Sequence, residues 1–217
     1  MKTNNMEQQK KENKENYENN EEIVILTIVG EVEGHEALSD NTKTTKYEHL
    51  LPKLASLERN ENVKGILFLL NTVGGDVEAG LAIAEMIASM SKKTVTLVLG
   101  GSHSIGVPIA VSADYSFIVP SGTMVIHPVR TNGTVIGARQ TYDFFRKTQE
   151  RITNFVCNHC KIQKNTLEKL MNETEVLTKD IGTILIGEEA VKYGIIDRVG
   201  GISEALTQLK KLCDISA

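Results

Sequence analysis

Two serines, Ser102 and Ser104, follow a Gly-Gly pair inside the run Val95 to Gly106, VTLVLGGSHSIG. The glycines let the chain turn sharply after a buried strand, and the next apolar segment, Ile105 to Ala113, is predicted as a helix. Ser104 then stands at its first turn, where backbone N–H groups lack partners within the helix and the dipole favours negative charge. A serine oxygen there can attack a carbonyl and leave the resulting oxyanion close to N–H donors. The same serines also suit plain helix capping, the common use of serine at such a place. A second Gly-Gly pair, Gly74 and Gly75, follows the strand predicted at Val63 to Leu70. If the two strands are neighbours, the N–H groups of Gly75 and Ile105 converge on one point, as an oxyanion hole for acyl transfer requires. The alternative is that both pairs only make tight turns.

A serine nucleophile needs a base, and the five histidines are His35, His49, His103, His127 and His159. His103 adjoins Ser104, and neighbouring side chains at a strand end point apart, which makes it a poor base. His127 ends a strand predicted at Thr123 to Ile126, and Pro128 after it imposes an extended exit. Its position favours it, and hydrogen-bond reach to the serine is the geometric demand it has to meet.

The elements that must position these residues alternate. After Ile23 to Val29, a β-branched strand, a loop is predicted over Gly30 to Thr45. A helix follows at Tyr47 to Leu57, with Pro52 in its first turn. Strand, Gly-Gly turn and helix then occur twice, with helices at Glu78 to Met90 and Ile105 to Ala113, implying an α/β fold with a parallel sheet. Short strands are predicted at Tyr115 to Val119, Thr123 to Ile126 and Ile195 to Val199, with helices at Thr166 to Met171, Gly187 to Tyr193 and Ser203 to Leu212. Ala138 to His159 predicts a helix about 33 Å long at 1.5 Å per residue, too long to lie wholly on one domain, so it projects.

Composition excludes several function classes. The 217 residues carry a net charge of −4 and 41% hydrophobic residues, ordinary for one globular domain. No stretch joins Lys and Arg with aromatics as a nucleic-acid surface does. No apolar run approaches the roughly 20 residues that span a bilayer. Residues 1–22, rich in Lys, Asn, Glu and Gln, are expected to be a disordered tail, with one folded domain over 23–212 and a short tail over 213–217. Three cysteines, Cys157, Cys160 and Cys213, fit a reducing, cytoplasmic compartment. Cys157 and Cys160 form a C-x-x-C at a predicted helix end, the wrong pole to stabilise a thiolate, and too few ligands accompany them for zinc. No cofactor or metal is expected.

The ordered set LNTVGGDVEAG, GSHSIG, TMVIHP and EEAVKYGIIDRVGG resembles the proteolytic subunit of the Clp protease. Within that family, KTTKYEHLLP and LGGSHSIGVPIAVSADYSFI are most similar to its translocation-enhancing branch. The resemblance spans Ile23 to Leu212 and implies a ClpP/crotonase-like fold of repeated β-β-α units with a long projecting helix. It implies a serine endopeptidase acting on peptides or unfolded protein, with Ser104 as nucleophile, His127 as general base, and Gly75 and Ile105 as oxyanion donors. The third triad member is implied just before the E-A-V tract. The family spacing lands there on Gly182, and Asp180, the nearest preceding acid, is assigned the role. A homo-oligomeric ring is also implied, without its size. Val73 stands where the family has proline, and residues 1–22 do not resemble its axial-loop segment, so a docking ATPase is not implied. Two other readings share this fold: an acyl-CoA-processing crotonase homologue, which needs no serine, and a secretion scaffold with little proteolysis.

Overall fold

The computed structural model describes residues 22–130, 135–175 and 181–216. The predicted tail up to residue 21 and the proposed acid Asp180 lie outside them. Six strands form one parallel row: β1 (Ile23–Glu33), β2 (Thr44–Lys46), β3 (Gly65–Gly75), β4 (Lys93–Ser102), β5 (Tyr115–Ile118) and β8 (Arg198–Val199), in the order β2-β1-β3-β4-β5-β8. β3 begins as the near-continuous apolar run GILFLL because both faces of a parallel sheet are covered. Ile66, Phe68 and Leu70 join the larger core on one face, and Leu67 joins Val95, Leu97 and Phe117 on the other. Helices α1 (Tyr47–Arg59), α2 (Val77–Ser89) and α3 (Gly106–Val111) contribute Leu54, Ile83 and Ile109 to the first core. Helix α7 (Ile202–Leu212) closes the second with Ala205 and Leu209.

Several expectations need correction. The loop expected from Gly30 is strand as far as Glu33, and β2 pairs with that extension at Glu31↔Thr44. Pro52 lies inside α1 rather than in its first turn, so the Glu48 carbonyl loses its usual N–H donor. The helix expected over Ile105 to Ala113 is shortened to α3, because Ile105 serves as its cap and Ser112 ends it. β6 (Thr123–Ile126) belongs to the same sheet but stands off the main row. It meets β4 at the single bridge Gly101↔Thr123 and pairs antiparallel with β7 (Thr183–Ile186), a strand the sequence reading did not foresee.

Helix α4 (Ala138–His159) has the expected bounds. Its buried residues, Thr148, Ile152, Thr153, Phe155 and Val156, all lie from the midpoint onward, while Tyr142 and Phe144 are exposed. The first half therefore extends beyond the body, as the projecting helix was expected to do. α5 (Lys164–Met171) packs beneath the second half, and α6 (Glu188–Lys192) follows β7.

Candidate active site

β3 and β4 are adjacent and parallel, so their two Gly-Gly turns come together. At Gly74, with φ 92°, an added Cβ would lie 2.8 Å from the Ser104 Cβ and 2.7 Å from the His103 carbonyl oxygen. Only glycine tolerates both that torsion and that approach. The Asp76 N–H donates to the Val32 carbonyl at 2.9 Å. Gly75 itself has φ 144° and lines the same cavity as Ser104. Asp76 also caps α2, its carboxylate accepting the Ala79 N–H at 2.8 Å.

Ser104 is half-buried on the turn between β4 and α3, with φ 56°. Left-handed backbone costs an L residue about 1–2 kcal/mol, and such strain concentrates at strand-to-helix turns that present a nucleophile. Its N–H donates to the Val125 carbonyl at 2.8 Å, and its carbonyl accepts the Val107 N–H at 3.0 Å. Among the described residues no group takes the Ile105 N–H, while the Ile105 side chain is buried against Gly80. Ser102 is fully buried and its hydroxyl donates to the Gly106 carbonyl at 2.7 Å. It is structural, and Ser104 is the serine that faces the cavity.

A cavity of about 150 Å³ is lined by Gly75, Ser104, Ile105 and His127 together. Its remaining wall is mostly apolar, with Val107 and Pro108 from α3, Ile152 and Val156 from α4, and Leu167 and Met171 from α5, and it carries one charged residue, Arg130. His127 follows β6 directly, and its Nδ1 lies 2.7 Å from the Pro128 carbonyl oxygen. A carbonyl only accepts, which assigns the ring proton to Nδ1 and leaves Nε2 as the basic nitrogen. At Gly182, with φ 134°, an added Cβ would lie 2.8 Å from the His127 Cβ and would collide with the Ile126 carbonyl. The segment entering β7 thus runs against the histidine.

The other histidines are engaged elsewhere. His103 places Nε2 2.8 Å from Thr123 Oγ1. The Thr123 hydroxyl is oriented towards the Gly100 carbonyl at 3.4 Å, so the imidazole is the donor. His159 donates from Nδ1 to the Phe155 carbonyl at 2.7 Å and stacks on the Phe155 ring. His35 packs on Tyr47, and His49 lines a separate groove on β1 and α1.

Sequence reasoning passed over the groups that brace this site. The Gln149 side chain accepts the Val129 N–H at 2.8 Å and approaches Met171 Sδ at 3.4 Å, tying the chain after His127 to α4 and α5. Arg151 makes a two-pronged ion pair with Glu78 at 2.6 and 3.0 Å, fixing α4 over α2. It holds the Glu78 carboxyl below its usual range, although half-exposed pairs contribute only about 0–1 kcal/mol. The sequence signal for that pair was faint: two charges far apart on separate helices.

Residues 21–203 match the sequence profile of the Clp protease. The chain belongs to the Clp protease family. It is 57% identical over 189 residues to the translocation-enhancing protein TepA of Halalkalibacterium halodurans, covering 87% of this chain and 74% of that protein. It is 29% identical over 185 residues to the ATP-dependent Clp protease proteolytic subunit of Streptococcus sanguinis, covering 81% and 83% of the two chains. The mixed α/β architecture around a mainly parallel sheet is consistent with the Clp fold.

Membership in the Clp family leaves the C-x-x-C without a visible task. Cys160 caps the end of α4 and its thiol donates to the Val156 carbonyl at 3.0 Å. Burial pushes the Cys160 thiol up to about 11 and raises that of Cys157 as well, so both are protonated and poor nucleophiles. Among the described residues no group of His, Cys, Asp and Glu is arranged to hold a metal. No helix among them is long and apolar enough to cross a membrane.

One titration is built into the elbow. Burial first, and the neighbouring His127 second, hold His103 below its ordinary value of 6.5. Below that pH the unfolded chain takes up a proton that the folded chain refuses, so unfolding becomes easier. His103 therefore costs no stability above pH 6.5 and destabilises progressively as pH falls below it. Urea midpoints for wild type and His103→Gln should diverge between pH 7.5 and pH 5.5, the wild type losing more. Parallel loss in both would assign the acid sensitivity elsewhere.

Proposed function

We propose that the chain is a Clp-family serine endopeptidase that hydrolyses peptides or unfolded protein. Ser104 Oγ attacks the scissile carbonyl, His127 Nε2 takes the serine proton and returns it to the leaving amine, and the Gly75 and Ile105 N–H groups hold the oxyanion. Asp180 completes the triad. It comes two residues before Gly182, whose backbone abuts His127, and that sequence position is what supports the assignment. The observation that carries this reading is the single cavity lined by a strained serine, a histidine with a basic Nε2 and the two oxyanion positions. An acyl-CoA crotonase would have no use for that serine–histidine pair.

The reading includes a single peptidase domain over 23–212, cytoplasmic residence and a homo-oligomeric ring. Exposed Tyr142 and Phe144 on the projecting half of α4 supply apolar surface for such assembly. A link to protein export rests on the name of the 57% identical relative.

The cavity also selects the substrate. About 150 Å³ of mostly apolar space suits one aliphatic or aromatic side chain, since an apolar cavity of about that size holds benzene. Fluorogenic peptides with Leu, Met or Phe before the scissile bond should be cleaved about 100-fold faster than those with Lys, whose charge would be buried beside Arg130 without an acidic partner in the cavity wall. Equal rates would remove the cavity from the specificity site. No hydrolysis of any peptide by an assembled sample would favour the scaffold reading.

A further inference from the structure

We infer that Thr72 is a positioning residue whose hydroxyl sets the oxyanion turn against the nucleophile, an inference that rests on the serine-peptidase reading. Thr72 lies between two breaks in strand register. β1 and β3 pair as far as Gly30↔Thr72, and the next pair is Glu31↔Gly74, so Val73 is skipped and stands 63% exposed. On the other side Leu70 pairs with Val98, and the next pair is Thr72↔Ser102. The two irregularities lead into the segments that carry Gly74 and Gly75 on one strand and His103 and Ser104 on the other.

Broken ladders leave backbone groups in need of partners, and Thr72 supplies them. Its hydroxyl donates to the Gly30 carbonyl at 2.6 Å and accepts the Gly74 N–H at 3.1 Å. Its carbonyl accepts the His103 N–H at 3.1 Å. Its methyl lies 2.9 Å from where a Gly106 Cβ would be. A side chain only 1% exposed thus joins β1, the Gly74 turn and both flanks of Ser104. The hydroxyl must donate and accept at once, which serine can also do and valine or alanine cannot. Without it the Gly74 N–H loses its anchor, and Gly74 is the residue whose missing side chain lets the turn lie on Ser104. Thr72 has no place in the cavity wall and acts through the backbone of its neighbours.

The test compares Thr72→Val, Thr72→Ala and Thr72→Ser with wild type on a fluorogenic peptide, with Ser104→Ala as the zero. Displacing a catalytic donor by about 1 Å costs about 100-fold, so kcat should fall about 10- to 100-fold in Val and Ala with KM unchanged. The serine variant should stay near wild type. Hydrogen exchange at the Gly74 amide should quicken in Val and Ala and not in Ser. Unchanged kcat in Thr72→Val and Thr72→Ala, beside a dead Ser104→Ala, would overturn the role of Thr72 alone. A serine variant as slow as valine would also overturn it, by assigning the loss to the methyl group's packing. Wild-type hydrolysis that survives Ser104→Ala would overturn the serine-peptidase reading and Thr72's role with it.

Discussion

Ser104→Ala is expected to remove peptide hydrolysis and fluorophosphonate labelling together, lowering kcat by about 10⁴- to 10⁶-fold. Ser104→Gly should be equally inactive but differently stable. Alanine keeps the strain of a Cβ at φ 56°, whereas glycine accepts left-handed backbone freely and gives back part of the gain through the entropy of its unfolded chain. Glycine should therefore raise the melting temperature slightly relative to alanine, by the equivalent of up to about 1 kcal/mol. An inactive protein more stable than its alanine counterpart is the signature of strain held for chemistry. Labelling that persists in Ser104→Ala would move the nucleophile elsewhere. A glycine variant less stable than alanine would mean that the elbow is relaxed by its surroundings.

The strain at Ser104 and the register breaks beside Thr72 belong to one device. An uninterrupted pairing of β3 with β4 would keep both Gly-Gly pairs in the sheet plane. The breaks at Val73 and after Val98 release both turns on the same side, and Ser104 reaches across to Val125, close to the base. The Ser104 N–H thus fixes its distance to the strand that ends at His127.

Much of this was legible in the chain. GILFLL and VTLVL are apolar without alternation, as strands covered on both faces must be, and the glycines after them marked the turns. Helix α4 was legible because its amphipathic pattern persists over many turns. β7 was not, because TILI between glycines is too short to show a period, and its antiparallel partner is distant in sequence. β2 was hidden for the same reason, inside a polar loop. Thr72 and Gln149 were invisible as site residues because their value lies in backbone groups that only the fold brings to them. Ser102 and Ser104 are similar in composition and context. Their difference, one buried on the Gly106 carbonyl and the other strained towards a cavity, is a matter of backbone torsion that residue type does not encode.

His127, the proposed base, carries the second large effect. His127→Ala should lower kcat by about 10⁴- to 10⁶-fold while leaving assembly intact, since the ring lies at a cavity wall and not in the core clusters. His103→Gln, one residue from the nucleophile, should leave kcat at pH 7.5 close to wild type because its imidazole is spent on Thr123. Asp180 should matter less than His127. The large loss on removing a triad carboxylate comes mainly from a wrongly protonated, wrongly oriented imidazole, and here the Pro128 carbonyl at 2.7 Å already selects the Nδ1–H form. Asp180→Ala should therefore cost less in kcat than the loss of about 10⁴-fold that removing a triad carboxylate's function brings, with KM little changed. Single-turnover acylation rates across pH for the three variants decide the matter. An Asp180→Ala enzyme as slow as His127→Ala would make the carboxylate the sole holder of the tautomer, and one indistinguishable from wild type would take Asp180 out of the triad.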